Sequence, residues 1–212
     1  TPLLAGAGVV GLAVGFGSQK LVQDIINGLF ILLGDTIRVG DVVDLGGRSG
    51  VVEAISMRTV TLRAYNGDVH TIPFGTIDSI TNMTRDYSFW VLDLGVGYRE
   101  NVDRVVAVLH EIEAQLRREW PWRRLILEPL EIAGLDRFGD SAVVIRGRIK
   151  TRPGEQWRVG REFNRRLKRR FDELGIEIPF PQRTVHLIAE PPSATRAAAP
   201  AAAPRALPGP AG

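Results

Sequence analysis

Few side chains in this 212-residue chain have the types and spacing that chemistry needs. Asp41 and Asp44 stand close enough to suggest a metal pair. However, two acids at the ends of a short strand that leads into Gly46-Gly47 read as turn and edge residues. His70, His110 and His186 lie far apart and show no metal-ligand spacing, so each reads as an ordinary surface or core histidine. The sequence has no cysteine, which leaves no disulfides and no thiolate ligands and suits a cytosolic face. There is no nucleophile elbow, Walker loop or HExxH string, and no carboxylate pair spaced for a shared site. Catalysis is therefore the weakest functional reading, and neither a cofactor nor a metal is expected.

The informative residues are apolar. Leu12 and Phe16 are four apart and share one helix face, among the small residues Gly8, Gly11, Ala13 and Gly15. Gly11-Leu-Ala-Val-Gly15 is a GxxxG step of the kind that lets membrane helices approach closely. If several copies pack through their small residues in a ring, Leu12 and Phe16 line the hole, where a hydrophobic constriction can gate by dewetting. Gly6-Ala-Gly8-Val-Val-Gly11 also fits GxGxxG, but that fingerprint binds a dinucleotide only between a strand and the helix of a soluble βαβ unit. Here the glycines run on through Gly15 and Gly17 into a second apolar segment.

The element that must carry these residues is a helix built from two apolar runs, 3–16 and 21–33. They flank Ser18-Gln19-Lys20, with Gln23 and Asp24 just beyond. Neither run reaches the ~20 residues that a bilayer needs, but together, as a helix bent in the middle, they do. In water each glycine would cost such a helix about 1 kcal/mol relative to alanine. The plainer alternative is a core helix of a soluble protein. A signal peptide is not indicated, since no basic segment precedes the apolar run and no clear cleavage site follows it. The first residue is Thr1 rather than methionine, which suggests a piece of a longer protein with membrane helices upstream.

Beyond Leu33 the character changes, so the near-zero mean hydropathy averages an apolar start with a polar remainder. Stretches 41–45, 50–56, 59–64 and 68–72 alternate like short strands. Tyr65-Asn66-Gly67-Asp68 reads as a type I′ hairpin and Gly46-Gly47 as another tight connection. From Ser88 onward the pattern runs strand 89–96, helix 102–120, strands 130–135 and 142–149, a second helix and a last strand 184–189. The first helix is capped by Asn101 and ended by Pro121; the second buries Phe163, Leu167, Phe171 and Leu174 and stops at Gly175. This is the βαββαβ order of a ferredoxin-like unit. The fold class is thus a membrane α-helix followed by an all-β small barrel and an α+β domain. The expected boundaries are 1–34 for the kinked helix, 35–86, 87–190, and a disordered Ala/Pro-rich tail at 191–212.

Lys and Arg total 27 against 24 Asp and Glu, and a net charge of +3 is too small to imply nucleic acid by itself. Arg161, Arg165, Arg166, Lys168, Arg169 and Arg170 crowd the last helix, but Glu162, Asp172 and Glu173 dilute them, so a solvated face is expected.

Four strings carry a family resemblance: Gly11-Leu-Ala-Val-Gly15 with Gln19 downstream; Ile37-Arg-Val-Gly-Asp-Val-Val-Asp44 with Gly46-Gly47 and Gly50; Thr71-Ile-Pro73; and Pro179-Phe-Pro-Gln182. They resemble the small-conductance mechanosensitive (MscS-type) channels of bacterial membranes, from the pore-lining helix onward, over residues 3–189. The resemblance implies a homoheptamer in the bacterial inner membrane, multi-pass in the full-length protein. The last membrane helix would line the pore, and the Sm-like β and α/β domains would enclose a vented cytoplasmic chamber. It implies a constriction at Leu12 and Phe16, with Phe16 departing from the family's usual leucine. Packing falls to Gly8, Gly11, Ala13 and Gly15, and a hinge region to Gln19, Lys20 and Gly28. Lys20 stands where the family often has a glycine; it is expected to form a charged ring below the seal, paired to Asp24 one turn on. The implied partners are further copies of the chain, the lipid bilayer and permeating ions, with no nucleic acid. The activity implied is tension-driven release of ions and small osmolytes on hypo-osmotic shock. The alternative reading is a membrane-tethered oligomeric module that binds RNA or a small ligand.

Overall fold

The computed structural model describes residues 2–183 and 185. Helix α1 (Pro2–Leu33) is assigned without a break. It stays helical through Ser18-Gln19-Lys20, where the polar interruption falls. Ser18 Oγ donates back to the carbonyls of Val14 (2.9 Å) and Gly15 (3.2 Å), which satisfies the hydroxyl inside the helix. Its segment Gly6–Leu33, 28 residues, is long and apolar enough to cross a membrane, and the protomer buries none of its apolar window. At ~1.5 Å per residue this segment measures about 42 Å.

Five antiparallel strands follow: β1 (Val42–Leu45), β2 (Arg48–Ile55), β3 (Thr59–Arg63), β4 (Val69–Pro73) and β5 (Ile80–Asn82). They lie in the order β4-β3-β2-β1-β5. Alternation sends Val43, Leu45, Val60 and Leu62 to one face, where they pack with Ile37, Val52, Ile72 and Phe74.

The tight turns differ from the expectation. Gly46 and Gly47 both have positive φ, 58° and 86°, so the type I′ loop joins β1 to β2. In the β3–β4 hairpin only Gly67 has positive φ, at 95°. The Gly67 N–H donates to the Ala64 carbonyl at 2.9 Å and the Ala64 N–H to the Asp68 carbonyl at 2.8 Å. That is a three-residue loop with a type I turn closed by a left-handed glycine, because Asn66 keeps the ordinary negative φ.

The second sheet is built from β6 (Ser88–Val96), β7 (Glu131–Phe138) and β8 (Val143–Thr151), ordered β6-β8-β7 and antiparallel throughout. β8 lies between β6 and β7, which are joined through α2 (Val102–Arg118) and the short α3 (Trp122–Leu125); this is the split βαβ arrangement. Helix α4 (Gln156–Leu174) completes the unit, and the expected last strand, 184–189, and the tail lie outside the described residues. The core joins Leu92, Leu94 and Val96 of β6, Val105, Leu109, Ile112 and Leu116 of α2, Ile145 and Ile149 of β8, and Val159, Phe163, Leu167 and Phe171 of α4. Asn101 Oδ1 caps α2 by accepting from the Arg104 N–H at 3.1 Å.

The basic face of α4 is laced with ion pairs. Arg165 and Arg166 both hold Glu162, and Arg166 reaches across to Glu119 in the α2–α3 turn. The guanidinium of Arg165, followed by that of Arg166, holds the Glu162 carboxyl down to about 2. Arg161 and Arg169 have no acidic partner among the described residues.

Candidate functional site

At about 100° per residue, Leu12 and Phe16 form a ridge about 40° wide on α1. Gly8, Gly11 and Gly15 fall on one flank of that ridge, and Ala13 on the other. The ridge stands in the open: Leu12 is 63% exposed and Phe16 74%. Together with Gly11, Gly15, Gln19 and Val22 these two side chains line a trough of about 480 Å³ along the helix. A Cβ placed on Gly8, Gly11 or Gly15 would meet nothing within 4 Å. Nothing inside the protomer therefore demands glycine at these positions, although glycine weakens the helix.

Lower down, glycine has an internal reason. A Cβ on Gly28 would lie 2.5 Å from the Met57 carbonyl oxygen and 2.7 Å from Cδ2 of Phe74. Gly28, expected as a flexible point, is thus where the helix backbone presses on the β domain, at the 3₁₀ turn Phe74–Thr76. Gly75 in that turn is equally constrained, because a Cβ there would collide with the Asp24 carboxylate. The Gly75 N–H donates to Asp24 Oδ1 at 2.7 Å.

This contact corrects the expected Lys20–Asp24 pair. The Asp24 carboxylate turns to the β domain, and Lys20 forms no ion pair among the described residues. Gln19 and Lys20 lie on exposed helix surface. Sequence reasoning missed Asp24, Phe74 and Gly75 as the contact that ties the helix to the sheet. The available signals were a lone acid inside an apolar run and a glycine two residues after Thr71-Ile-Pro73.

The acids first considered as metal ligands are spent on turns. Asp44 accepts from the Gly47 N–H at 2.9 Å and from Ser49 Oγ at 2.5 Å, through different oxygens. Asp41 Oδ2 accepts from the Arg38 N–H at 2.9 Å and from Asn82 Nδ2 at 2.7 Å. Hydrogen bonds from Ser49, then from Gly47, hold the Asp44 carboxyl below the usual carboxylate range.

Comparison with known proteins adds independent findings. Residues 20–85 match the family model described as the mechanosensitive ion channel β-domain. Residues 90–178 match the model for the C-terminal region of the mechanosensitive ion channel MscS. The small-conductance mechanosensitive channel of Caldanaerobacter subterraneus subsp. tengcongensis is 38% identical over 187 residues, covering 88% of this chain and 65% of that protein. The moderate conductance mechanosensitive channel YbiO of Escherichia coli is 36% identical over 178 residues, covering 84% of this chain and 24% of that one. The chain thus spans about two thirds and about a quarter of these relatives' lengths. Among solved structures, Helicobacter pylori MscS in its closed state superposes with a TM-score of 0.74 at 23% identity, covering 90% of this chain and 74% of that one. At that identity the superposition speaks for the fold.

Proposed function

Because the chain belongs to the MscS-type family of mechanosensitive ion channels, we propose that it is the pore-lining and cytoplasmic portion of a channel subunit opened by bilayer tension. The observation that carries this reading is on α1: a helix with an exposed Leu12–Phe16 ridge and flanking glycines that nothing in the protomer requires. A neighbouring copy supplies the missing reason. With glycines on one flank and Ala13 on the other, the glycine flank of one helix meets the alanine flank of the next, a head-to-tail contact that closes into a ring. We take that ring to be a heptamer, as the family resemblance implies, in the bacterial inner membrane with the two domains in the cytoplasm. In it Leu12 and Phe16 form two stacked apolar rings on the axis, too dry for ions when the helices are close. Tension favours the state of larger in-plane area. The small flanks let helices slide and rotate without large clashes, the rings separate, and the pore wets and passes ions and small osmolytes.

The family is one of channels and not an enzyme class, and we assign the chain no catalytic role. Phe16→Ser places a hydroxyl in the lower ring, which eases wetting. In patch recordings of the full-length protein this variant is expected to open at lower tension than the parent. An unchanged threshold would remove Phe16 from the constriction.

A further inference from the structure

Many cations on the surface of the α/β domain are matched by acids: Arg146 with Asp93, Arg148 with Glu131, Lys150 with Glu128 and Arg170 with Glu111. The turn from α2 to α3 breaks that pattern. Arg118, Arg123 and Arg124 have no acidic partner among the described residues. The nearby acids are already engaged. Glu113 is buried with Arg117 3.0 Å away, Glu119 is held by Arg166, and Glu128 by Lys150.

The same turn carries two indoles in opposite environments. Trp122 is half-buried against the core with the Arg158 guanidinium 5.3 Å over its ring. Trp120 is 80% exposed. A cleft of about 480 Å³ opens at this corner, with Ala114, Ile126 and Leu127 as an aliphatic floor and Arg117, Arg118 and Arg123 as its rim.

We propose that this corner is a docking surface for an acidic segment of another protein in which carboxylates alternate with aliphatic side chains. Three unmatched guanidinium groups within seven residues repel one another, and an exposed indole leaves a large apolar face in water. A segment carrying carboxylates relieves the first, since the arginine fork donates two parallel N–H bonds to a carboxylate. Aliphatic side chains fill the cleft floor, and a strand or turn laid against Trp120 covers the indole. Tryptophan and arginine are also the residue types that dominate binding energy at protein interfaces. Single-stranded nucleic acid fits less well, because it calls for successive aromatic platforms and this cleft has an aliphatic floor. The α/β domain alone forms this surface, whether or not α1 lines a pore.

The test titrates the full-length protein in nanodiscs with a short fluorescein-labelled peptide of alternating glutamate and leucine, read by fluorescence anisotropy. Binding is expected to saturate and to weaken as salt is added. It should weaken at least about tenfold in Arg118→Glu/Arg123→Glu and several-fold in Trp120→Ala. Arg161→Glu/Arg169→Glu, which reverses two other unpartnered arginines, is expected to leave it unchanged, and a lysine–leucine peptide should not bind. Absence of saturable binding would overturn the proposal, as would an equal loss in the two double variants. Displacement of the peptide by a single-stranded oligonucleotide that needs the same arginines would overturn it in favour of nucleic acid.

Discussion

Glu113 lies on the face of α2 that packs onto the α/β sheet and is only 2% exposed. Burial pushes its carboxyl above the ordinary glutamate value, and Arg117, the Leu130 N–H and His110 pull it only part of the way back. Arg117 Nε sits 3.0 Å from Oε1 without hydrogen-bond alignment, which leaves that oxygen poorly satisfied. With a folded value above the unfolded one, the stability that protonated Glu113 contributes is full below the ordinary glutamate range. It fades as pH rises through the raised folded value. Glu113→Gln, which mimics the neutral acid, is therefore expected to protect the α2 amides from hydrogen exchange better than the parent at neutral pH and about equally at acid pH. Weaker protection at neutral pH would mean that the Arg117 contact outweighs the burial of charge. Helical spacing from Leu109 and Leu116 put Glu113 on the apolar face of α2, but an acid flanked by the outward Glu111 and Gln115 was easily passed over as part of the polar face. At this scale sequence reading succeeds where types are contrasted, as with Leu12 and Phe16 among glycines, and fails where one polar residue has several candidate partners. Asp24 is such a case: helical spacing offered Lys20, and only the fold brings Gly75 within reach.

The docking of α1 on the 3₁₀ turn Phe74–Thr76 is the element-scale feature with the clearest mechanical consequence, since it ties the membrane helix to the β domain at two points. Gly28→Val would drive side-chain carbons into the Met57 carbonyl and the Phe74 ring, an overpacking cost of about 1–3 kcal/mol. Faster hydrogen exchange at amides 74–77 is the expected readout, and unchanged exchange there would show that the contact yields freely. Asp24→Ala removes the acceptor for the Gly75 N–H while Asp24→Asn keeps one, so the Gly75 amide is expected to lose protection in the first variant and retain most of it in the second. Equal loss in both would assign the role to charge. The long elements were legible because periodicity accumulates over many residues: α2, α4, β3 and β8 lie close to their expected positions. β5, three residues long, and α3, four, are too short for any period to register. The type I′ turn was placed at Asn66-Gly67 because asparagine tolerates positive φ, whereas Gly46-Gly47 adopts it at both positions without steric cost.

At the scale of the whole molecule, apolar surface is left uncovered on α1. The α/β and β units each bury a core of their own, while the upper half of α1 exposes apolar side chains and leaves its glycines uncontacted. This imbalance was visible in the sequence as glycine-rich apolar residues followed by ordinary amphipathic elements. How many copies would close the proposed ring was not visible there, because helix periodicity specifies a face and not the angle between neighbours. The measurement that tests the central claim most directly uses the absence of cysteine from these residues. Phe16→Cys and, on the opposite side of the helix, Val14→Cys are introduced separately into the full-length protein, and tension-evoked single-channel currents are recorded before and after a bulky, water-soluble thiol reagent. If Phe16 faces the pore axis, the reagent will reduce the current through Phe16→Cys channels and leave Val14→Cys channels unaffected. Tension-evoked current that the reagent leaves untouched at Phe16→Cys, or no tension-evoked current at all in the parent, would contradict the account.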